Sequence, residues 1–270
     1  MRIGLVQMPV VDNLAINMES ARAGAVAAAA EGAKVVVLPE MFCCPYSCEN
    51  FTRYAEPEGG AIHSKLAQMA TEAGVYLIAG SVPEAEIVGT AIKRYNTSYV
   101  FSPTGEQLAK HRKVHLFDVT IPGKVHFKES DTLEAGDGST TFNTPWLKIG
   151  VTICYDLRFP ELFRKITLEG AQLIVVPAAF NTTTGEAHWE LLARSRAVDN
   201  QVFIALCSPA SIPTDHYVAY GHSLVSNSWG DIIGQLSRAP GLLVVDIDLE
   251  HLKGVRAQLP LLQHRRQELY

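Results

Sequence analysis

The sequence predicts an α/β fold, because strand-like apolar runs alternate with helix-like segments along the chain, the order that lays helices over a sheet. The order also repeats. Ile3-Gly4-Leu5 and Ile149-Gly150-Val151 open two halves alike, Val35-Val36-Val37-Leu38-Pro39 is matched by Leu173-Ile174-Val175-Val176-Pro177, and Val75-Tyr76-Leu77-Ile78-Ala79 is echoed by Val202-Phe203-Ile204-Ala205. No linker divides the halves: the Gly/Ser/Thr-rich patch 136–141 is short and sits before a strand. Two β-rich layers related by a pseudo-twofold, each covered by its own helices, would satisfy the duplication as a four-layer α-β-β-α sandwich. Chance similarity among short Val/Ile runs ending in Pro is the competing account.

Residues 3–8 read as the first strand, and the Ala-rich stretch 17–31 as a helix closed by Gly32. Residues 35–38 form a strand stopped by Pro39, 62–73 a helix ending at Gly74, and 75–79 a third strand. Strands 96–101 and 107–111 are joined by the turn Ser102-Pro103-Thr104-Gly105. In the second half, 149–153 is a strand. Helix 160–169 has Pro160 in its first turn and Gly170 as its stop. Strand 173–177, helix 187–200 and strand 202–205 follow, and then strands 223–227, 231–236 and 242–247. The end of the chain, from Val255, mixes polar and apolar residues and suits packing on this chain or on a neighbouring subunit.

At 270 residues the chain buries most of its apolar surface. A net charge of −5 without a run of Lys or Arg argues against a nucleic-acid surface, which needs clustered cations for phosphates. The expected partner is a small molecule. The first residues enter a strand directly, without signal-peptide features. No apolar stretch approaches the roughly 20 residues of a membrane helix. Five irregularly spaced cysteines fit a reducing compartment, and a cytoplasmic location without membrane association is expected. Cys43, Cys44 and Cys48 lie close together, but no second pair of soft ligands follows at zinc-site spacing, so neither metal nor cofactor is expected.

Cys154 ends an apolar strand and is followed by Tyr155-Asp156-Leu157-Arg158-Phe159-Pro160, where the strand breaks into a helix. A thiol is mostly protonated at neutral pH, so a nucleophilic cysteine needs a base, or a cation that lowers its pKa. Glu40, past the strand ending at Leu38, offers the base, and Lys113 in His111-Arg112-Lys113-Val114-His115 the cation. Lys113 and the backbone N–H of Tyr155 could then stabilise the tetrahedral oxyanion formed when Cys154 attacks an amide. Each residue also has an ordinary structural alternative: Cys154 as buried apolar filler, Glu40 as a loop carboxylate, Lys113 as a solvated strand end. Spacing does not choose between these, although strand ends at one sheet edge are where α/β sites gather.

Leu38-Pro39-Glu40, Arg112-Lys113-Val114-His115-Leu116 and Gly150-Val151-Thr152-Ile153-Cys154-Tyr155-Asp156-Leu157-Arg158-Phe159-Pro160-Glu161 resemble the three signature segments of the nitrilase superfamily of carbon-nitrogen hydrolases. The resemblance runs nearly end to end. It implies a Glu40, Lys113, Cys154 triad, the four-layer sandwich, and a homodimer or larger assembly. It also implies a hydrolase domain over 1–250, with 251–270 as a tail packed on it or on a neighbour. Three further segments resemble the ω-amidase branch: Phe117 to Ser130, Ala179-Phe180-Asn181-Thr182-Thr183-Thr184-Gly185 with His188-Trp189-Glu190, and Arg194 to Gln201. That branch hydrolyses the terminal amide of 2-oxoglutaramate and 2-oxosuccinamate through a Cys thioester. By resemblance, Glu129 orients Lys113 and substrate.

A substrate with a carboxylate at its far end needs a cation, and Arg158 offers a bidentate fork unless it pairs with Glu161 or Asp156. Tyr155, Tyr46 and Phe180 are expected at the pocket wall, with core packing as the alternative for the last two. The segment Met41-Phe42-Cys43-Cys44 and the loop 209–217 are this chain's own and bear on substrate choice. A related amidase acting on deaminated glutathione or an N-carbamoyl compound is the main rival. A papain-like protease lacks an obvious His partner for Cys154, and Gly221-His222-Ser223-Leu224-Val225 lacks the second Gly of a serine-hydrolase elbow. A scaffold protein on the same fold, with Cys154 merely buried, is the non-enzymatic alternative.

Overall fold

The computed structural model describes residues 1–121, 123, 125–213 and 217–269. Pro122 and Lys124 of the Phe117 to Ser130 segment, residues 214–216 of the loop 209–217, and the terminal Tyr270 lie outside the described residues. The elements run β1 (Arg2–Gln7), α1 (Leu14–Ala30), β2 (Val35–Val37), α2 (Cys48–Arg53), α3 (Ala61–Ala73), β3 (Tyr76–Ile78), β4 (Val82–Val88), β5 (Ala91–Phe101), β6 (Gln107–Arg112), β7 (Asp118–Ile121) and β8 (Val125–Lys128). The second half continues with β9 (Thr140–Asn143), β10 (Lys148–Val151), α4 (Pro160–Leu168), β11 (Leu173–Pro177), α5 (Thr182–Asn200), β12 (Phe203–Cys207), β13 (Leu224–Ser226), β14 (Ile232–Gln235), β15 (Gly241–Asp246) and α6 (Leu249–Gln258).

Two sheets carry the fold. The first has the order β15-β1-β2-β3-β5-β4, with β6 on β5; the second has the order β14-β13-β12-β11-β10-β9. In each, three consecutive strands pair in parallel, β1-β2-β3 and β10-β11-β12, and antiparallel strands extend both sides. Ile3 lies opposite Val35 and Leu5 opposite Val37, as Ile149 lies opposite Leu173 and Val151 opposite Val175. The duplication legible in the sequence is therefore a duplication of topology.

Alternation along the strands sorts the core into layers. Ile3, Leu5, Val35 and Val37 share one cluster with Ile149, Val151, Leu173 and Val175, the filling between the sheets. Val36, Leu38 and Leu77 face the other way, onto Ala21, Ala25 and Ala28 of α1 and Leu66 and Met69 of α3. Ile174, Val176 and Ile204 pack on Phe163 and Ile166 of α4 and on Trp189 and Ala193 of α5. The result is the four-layer α-β-β-α sandwich. Gly4 and Gly150 hold equivalent places: a Cβ would stand 2.8 Å from Ala28 Cβ at one and 2.2 Å from Ile166 Cγ2 at the other, so each lets its covering helix come close.

Some boundaries differ from the sequence reading. Helix α5 begins at Thr182, five residues before the expected start, because Asn181 Oδ1 caps it by accepting from Thr184 N at 2.9 Å. Strand β5 starts at Ala91 rather than at residue 96, and its hairpin partner β4, the β7-β8 ribbon and the helices α2 and α6 had no counterpart in the reading. Helix α6 crosses residue 250 with Leu252 and Val255 buried.

Candidate active site

The ends of β2, β6, β10 and β11 converge, as expected where parallel strands deliver side chains at one sheet edge. After β2 the chain turns at Pro39 and presents Glu40. Ser81 fixes this loop, its N–H donating to Pro39 O at 3.2 Å and its Oγ accepting from Met41 N at 3.1 Å. Lys113 follows β6 and is tied to both sides by Lys113 N to Asn96 O and Gly136 N to Lys113 O, each 2.8 Å. Glu129 follows β8 in a single 3-10 turn.

These three side chains form one buried cluster. Lys113 Nζ donates to Glu40 Oε1 at 3.0 Å and to Glu129 Oε1 at 2.9 Å, with all three side chains shut off from solvent. Glu40 Oε1 also accepts from Asn96 Nδ2 at 2.8 Å, and Glu40 Oε2 from Ala179 N at 2.8 Å. Glu129 Oε2 accepts from Phe117 N at 2.7 Å. Tyr46 sits inside this network, its hydroxyl donating to Glu129 Oε1 at 2.5 Å and lying 3.2 Å from Glu40 Oε1 and 3.4 Å from Lys113 Nζ.

Cys154 opens the 3-10 turn Cys154–Arg158 at φ 45°, a left-handed conformation that costs a non-glycine residue energy and aims its side chain out of the strand line. Asp156 holds the elbow. Its buried carboxylate accepts from Ile153 N at 3.0 Å and His115 N at 2.9 Å, and contacts His115 Nδ1 at 2.8 Å and His111 Nε2 at 3.2 Å. Burial raises the Asp156 pKa, but the hydrogen bonds from His111 and His115 outweigh it and hold the carboxyl well below the usual range.

The Cys154 thiol lies close enough to the Glu40 carboxyl for each to shift the other's pKa. Burial first, and the Glu40 charge second, push the thiol well above its ordinary value, against the pull of Lys113. Cys154 therefore rests as a neutral thiol, and the cation alone does not make it a thiolate. Burial likewise raises Glu40 above the ordinary carboxylate range, partly offset by Lys113. Lys113 is drawn down by burial, but Glu129 and Glu40 together outweigh this and keep it charged.

Cys154 lines a small pocket together with Phe117, Tyr155, Arg158, Phe180 and Tyr217. At about 10 Å³ it has room for one water. The Arg158 guanidinium lies 4.8 Å from the Phe180 ring centre and 5.7 Å from that of Tyr155, and Arg158 Nη1 meets His188 Nδ1 at 3.2 Å. Among the described residues no carboxylate pairs with it: the Asp156 oxygens are taken by His111, His115 and Ile153, and Glu161 makes no bridge to it. Burial lowers its pKa, the mark of a partly desolvated cation.

The structure thus gathers Glu40, Lys113, Glu129 and Tyr46 in one network, with Cys154 against Glu40, and places Tyr155, Arg158 and Phe180 around the Cys154 pocket. Asn96, Asp156, the Ala179 N–H and Tyr217 are parts of the site that the sequence reading did not single out. Tyr217 donates to Ala179 O and stacks on Tyr46 with ring centres 4.7 Å apart. Among the described residues no group of three or more His, Cys, Asp or Glu side chains could hold a metal ion, and no helix is long and apolar enough to cross a membrane.

The profile of the carbon-nitrogen hydrolase family matches residues 2–257. The chain is 48% identical to a Danio rerio protein named omega-amidase NIT2, over 100% of this chain and 96% of the relative. It is 39% identical to Saccharomyces cerevisiae Nit3, a member of branch 10 of the nitrilase superfamily, whose crystal structure matches with a TM-score of 0.89 over 98% of this chain and 96% of that one. A mutant amidase from Nesterenkonia sp. AN1, 28% identical with a TM-score of 0.80 over 96% of this chain and 98% of that one, shows Michael addition of acrylamide at its active-site cysteine.

Proposed function

The chain belongs to the carbon-nitrogen hydrolase family, and from that membership we propose that it is an ω-amidase, hydrolysing the terminal amide of small 2-oxo dicarboxylic acid monoamides such as 2-oxoglutaramate and 2-oxosuccinamate. The observation that carries the substrate class is Arg158: a partly buried guanidinium beside Cys154 with no carboxylate partner among the described residues. A substrate carboxylate would supply that partner through a bidentate contact. The relatives named omega-amidase support the same reading.

In the proposed mechanism Cys154 is the nucleophile, Glu40 the general base and acid, and Lys113 the oxyanion donor. Glu40 takes the thiol proton as Sγ attacks the amide carbon. The Lys113 ammonium and the Tyr155 N–H hold the oxyanion, each donor contributing about 3 kcal/mol. As the C–N bond breaks, Glu40 passes the proton to the leaving nitrogen and ammonia departs, leaving a thioester on Cys154. Glu40 then takes a proton from water, the hydroxyl adds to the thioester, and the acid leaves as Cys154 recovers its proton. Glu129 and Tyr46 position Lys113 and Glu40 through their direct hydrogen bonds.

The proposal extends to a homodimer or larger homo-oligomer in the cytoplasm, and to a tail, residues 251–270, that packs on the 1–250 hydrolase domain. Gln201 Nε2 donating to Leu259 O at 2.5 Å and Arg256 Nε donating to Gln201 O at 3.0 Å support the tail's placement. Ammonia release from a panel of purified amides tests the function. Turnover of 2-oxoglutaramate and 2-oxosuccinamate is expected; turnover only of deaminated glutathione or an N-carbamoyl compound would assign the site to another amidase.

A further inference from the structure

Helix α5 holds Arg158 at two places. Its buried Arg196 fixes the backbone, donating from Nε to Leu157 O at 3.0 Å and from Nη2 to Arg158 O at 3.1 Å. About two turns earlier on the same helix, the partly buried His188 meets the side chain, with Nδ1 at 3.2 Å from Arg158 Nη1. Thr184, one turn before His188, lines the pocket that Cys154 and Arg158 share. Arg196 therefore fixes where the Arg158 side chain starts, and His188 fixes where it ends.

A guanidinium carries donors only, so the contact requires a lone pair on His188 Nδ1: Arg158 donates, and the imidazole is neutral with its proton on Nε2. The choice of a neutral acceptor has a consequence for the cation. A carboxylate at this place would pair with Arg158 and compete with a carboxylate on the substrate. An apolar side chain would leave Nη1 without its partner and the guanidinium free to turn away. Neutral imidazole orients one edge of the fork and leaves the charge uncancelled.

We propose that His188 is a positioning residue for substrate recognition, aiming the Arg158 fork at the far carboxylate of the ω-amide while leaving its charge for that carboxylate; this rests on the ω-amidase reading above. The role is confined to binding. Cys154, Glu40 and Lys113 are held by other contacts, through Asp156, Asn96 and Glu129. Arg158 meets the far carboxylate alike before and during attack on the amide carbon, so its misplacement raises KM and spares kcat.

Steady-state hydrolysis of 2-oxoglutaramate by wild type and three variants tests this. His188→Asn keeps a neutral acceptor at the reach of Nδ1, His188→Asp gives the same shape a charge, and His188→Leu removes the acceptor. KM is expected within about threefold of wild type for His188→Asn, and at least about tenfold higher for His188→Leu and His188→Asp, with kcat within about threefold throughout. If His188→Leu fails to fold, the Asn and Asp variants, alike in shape, carry the comparison alone. Equal KM in those two would overturn the inference, as would a fall in kcat with KM unchanged, and either result leaves the ω-amidase reading standing. No turnover of 2-oxoglutaramate by folded wild type would remove both.

Discussion

At the scale of single residues, the site works by balancing a buried lysine between two buried carboxyl groups and setting a neutral thiol against one of them. Because burial raises Glu40 above its ordinary 4.5, the acid limb of kcat/KM is expected above pH 4.5: the base form, needed to accept the thiol proton, is lost as pH falls through that raised value. A pH–rate profile checks this, and a limb at or below 4.5 would contradict it. Glu40→Gln keeps the shape but not the base, and is expected to lower kcat by about a thousandfold with little change in melting temperature. Lys113→Met differs: it leaves Glu40 and Glu129 buried without their cation, and is expected to cost about 3–5 kcal/mol in denaturant unfolding as well as activity. The three residue types were legible in the sequence because strand-end Glu, Lys and Cys lie in recognisable segments. Asn96 was not, because its role depends on β5 passing Glu40. One signal was available: Asn96, Thr97 and Ser98 form a polar run inside a strand, and all three are completely buried.

At the scale of elements, the turn Cys154–Arg158 stands on Asp156. The unfolded chain protonates this carboxyl near 3.8, whereas the folded value lies far below, so its stabilisation is present above pH 3.8 and is lost as pH falls. Asp156→Asn is expected to lose about 3 kcal/mol near neutral pH and to show a shallower fall of stability in acid, read from urea unfolding at several pH values. Elements with strong local signals were legible: Gly74 does end α3 in a left-handed conformation, and Pro160 does open α4. Those set by tertiary context were not. Strand β4 carries Pro83 and an alternating pair, Glu84 and Glu86, and was not among the expected strands; it forms because it lies at the sheet edge, where a proline is tolerated, and because Arg112 pairs with both glutamates. The start of α5, Thr182-Thr183-Thr184-Gly185, is poor helix sequence, stabilised by the Asn181 cap and by close packing at Gly185, whose Cβ would lie 2.3 Å from Tyr220 Cγ.

At the scale of the whole molecule, the two halves meet through the inter-sheet core, and the site is assembled from both: Glu40, Lys113 and Glu129 come from the first, Cys154 and Ala179 from the second. Strand β15 returns from the end of the second half to pair with β1 from Arg2–Asp246 to Gln7–Gly241, locking the halves together. Equivalent packing predicts equivalent costs. Gly4→Val and Gly150→Val each force a helix off its sheet and are expected to destabilise by about 1–3 kcal/mol in urea unfolding; a neutral effect at either would break the correspondence of the halves. The central claim, that Cys154 carries the acyl group of an amide substrate, is tested most directly by acid-quenching the protein during turnover of 2-oxoglutaramate and mapping its peptides by mass spectrometry. The account predicts one 2-oxoglutaryl group on Cys154, absent from Cys43, Cys44, Cys48 and Cys207; continued turnover in Cys154→Ala, with no acyl group on any cysteine, would contradict it.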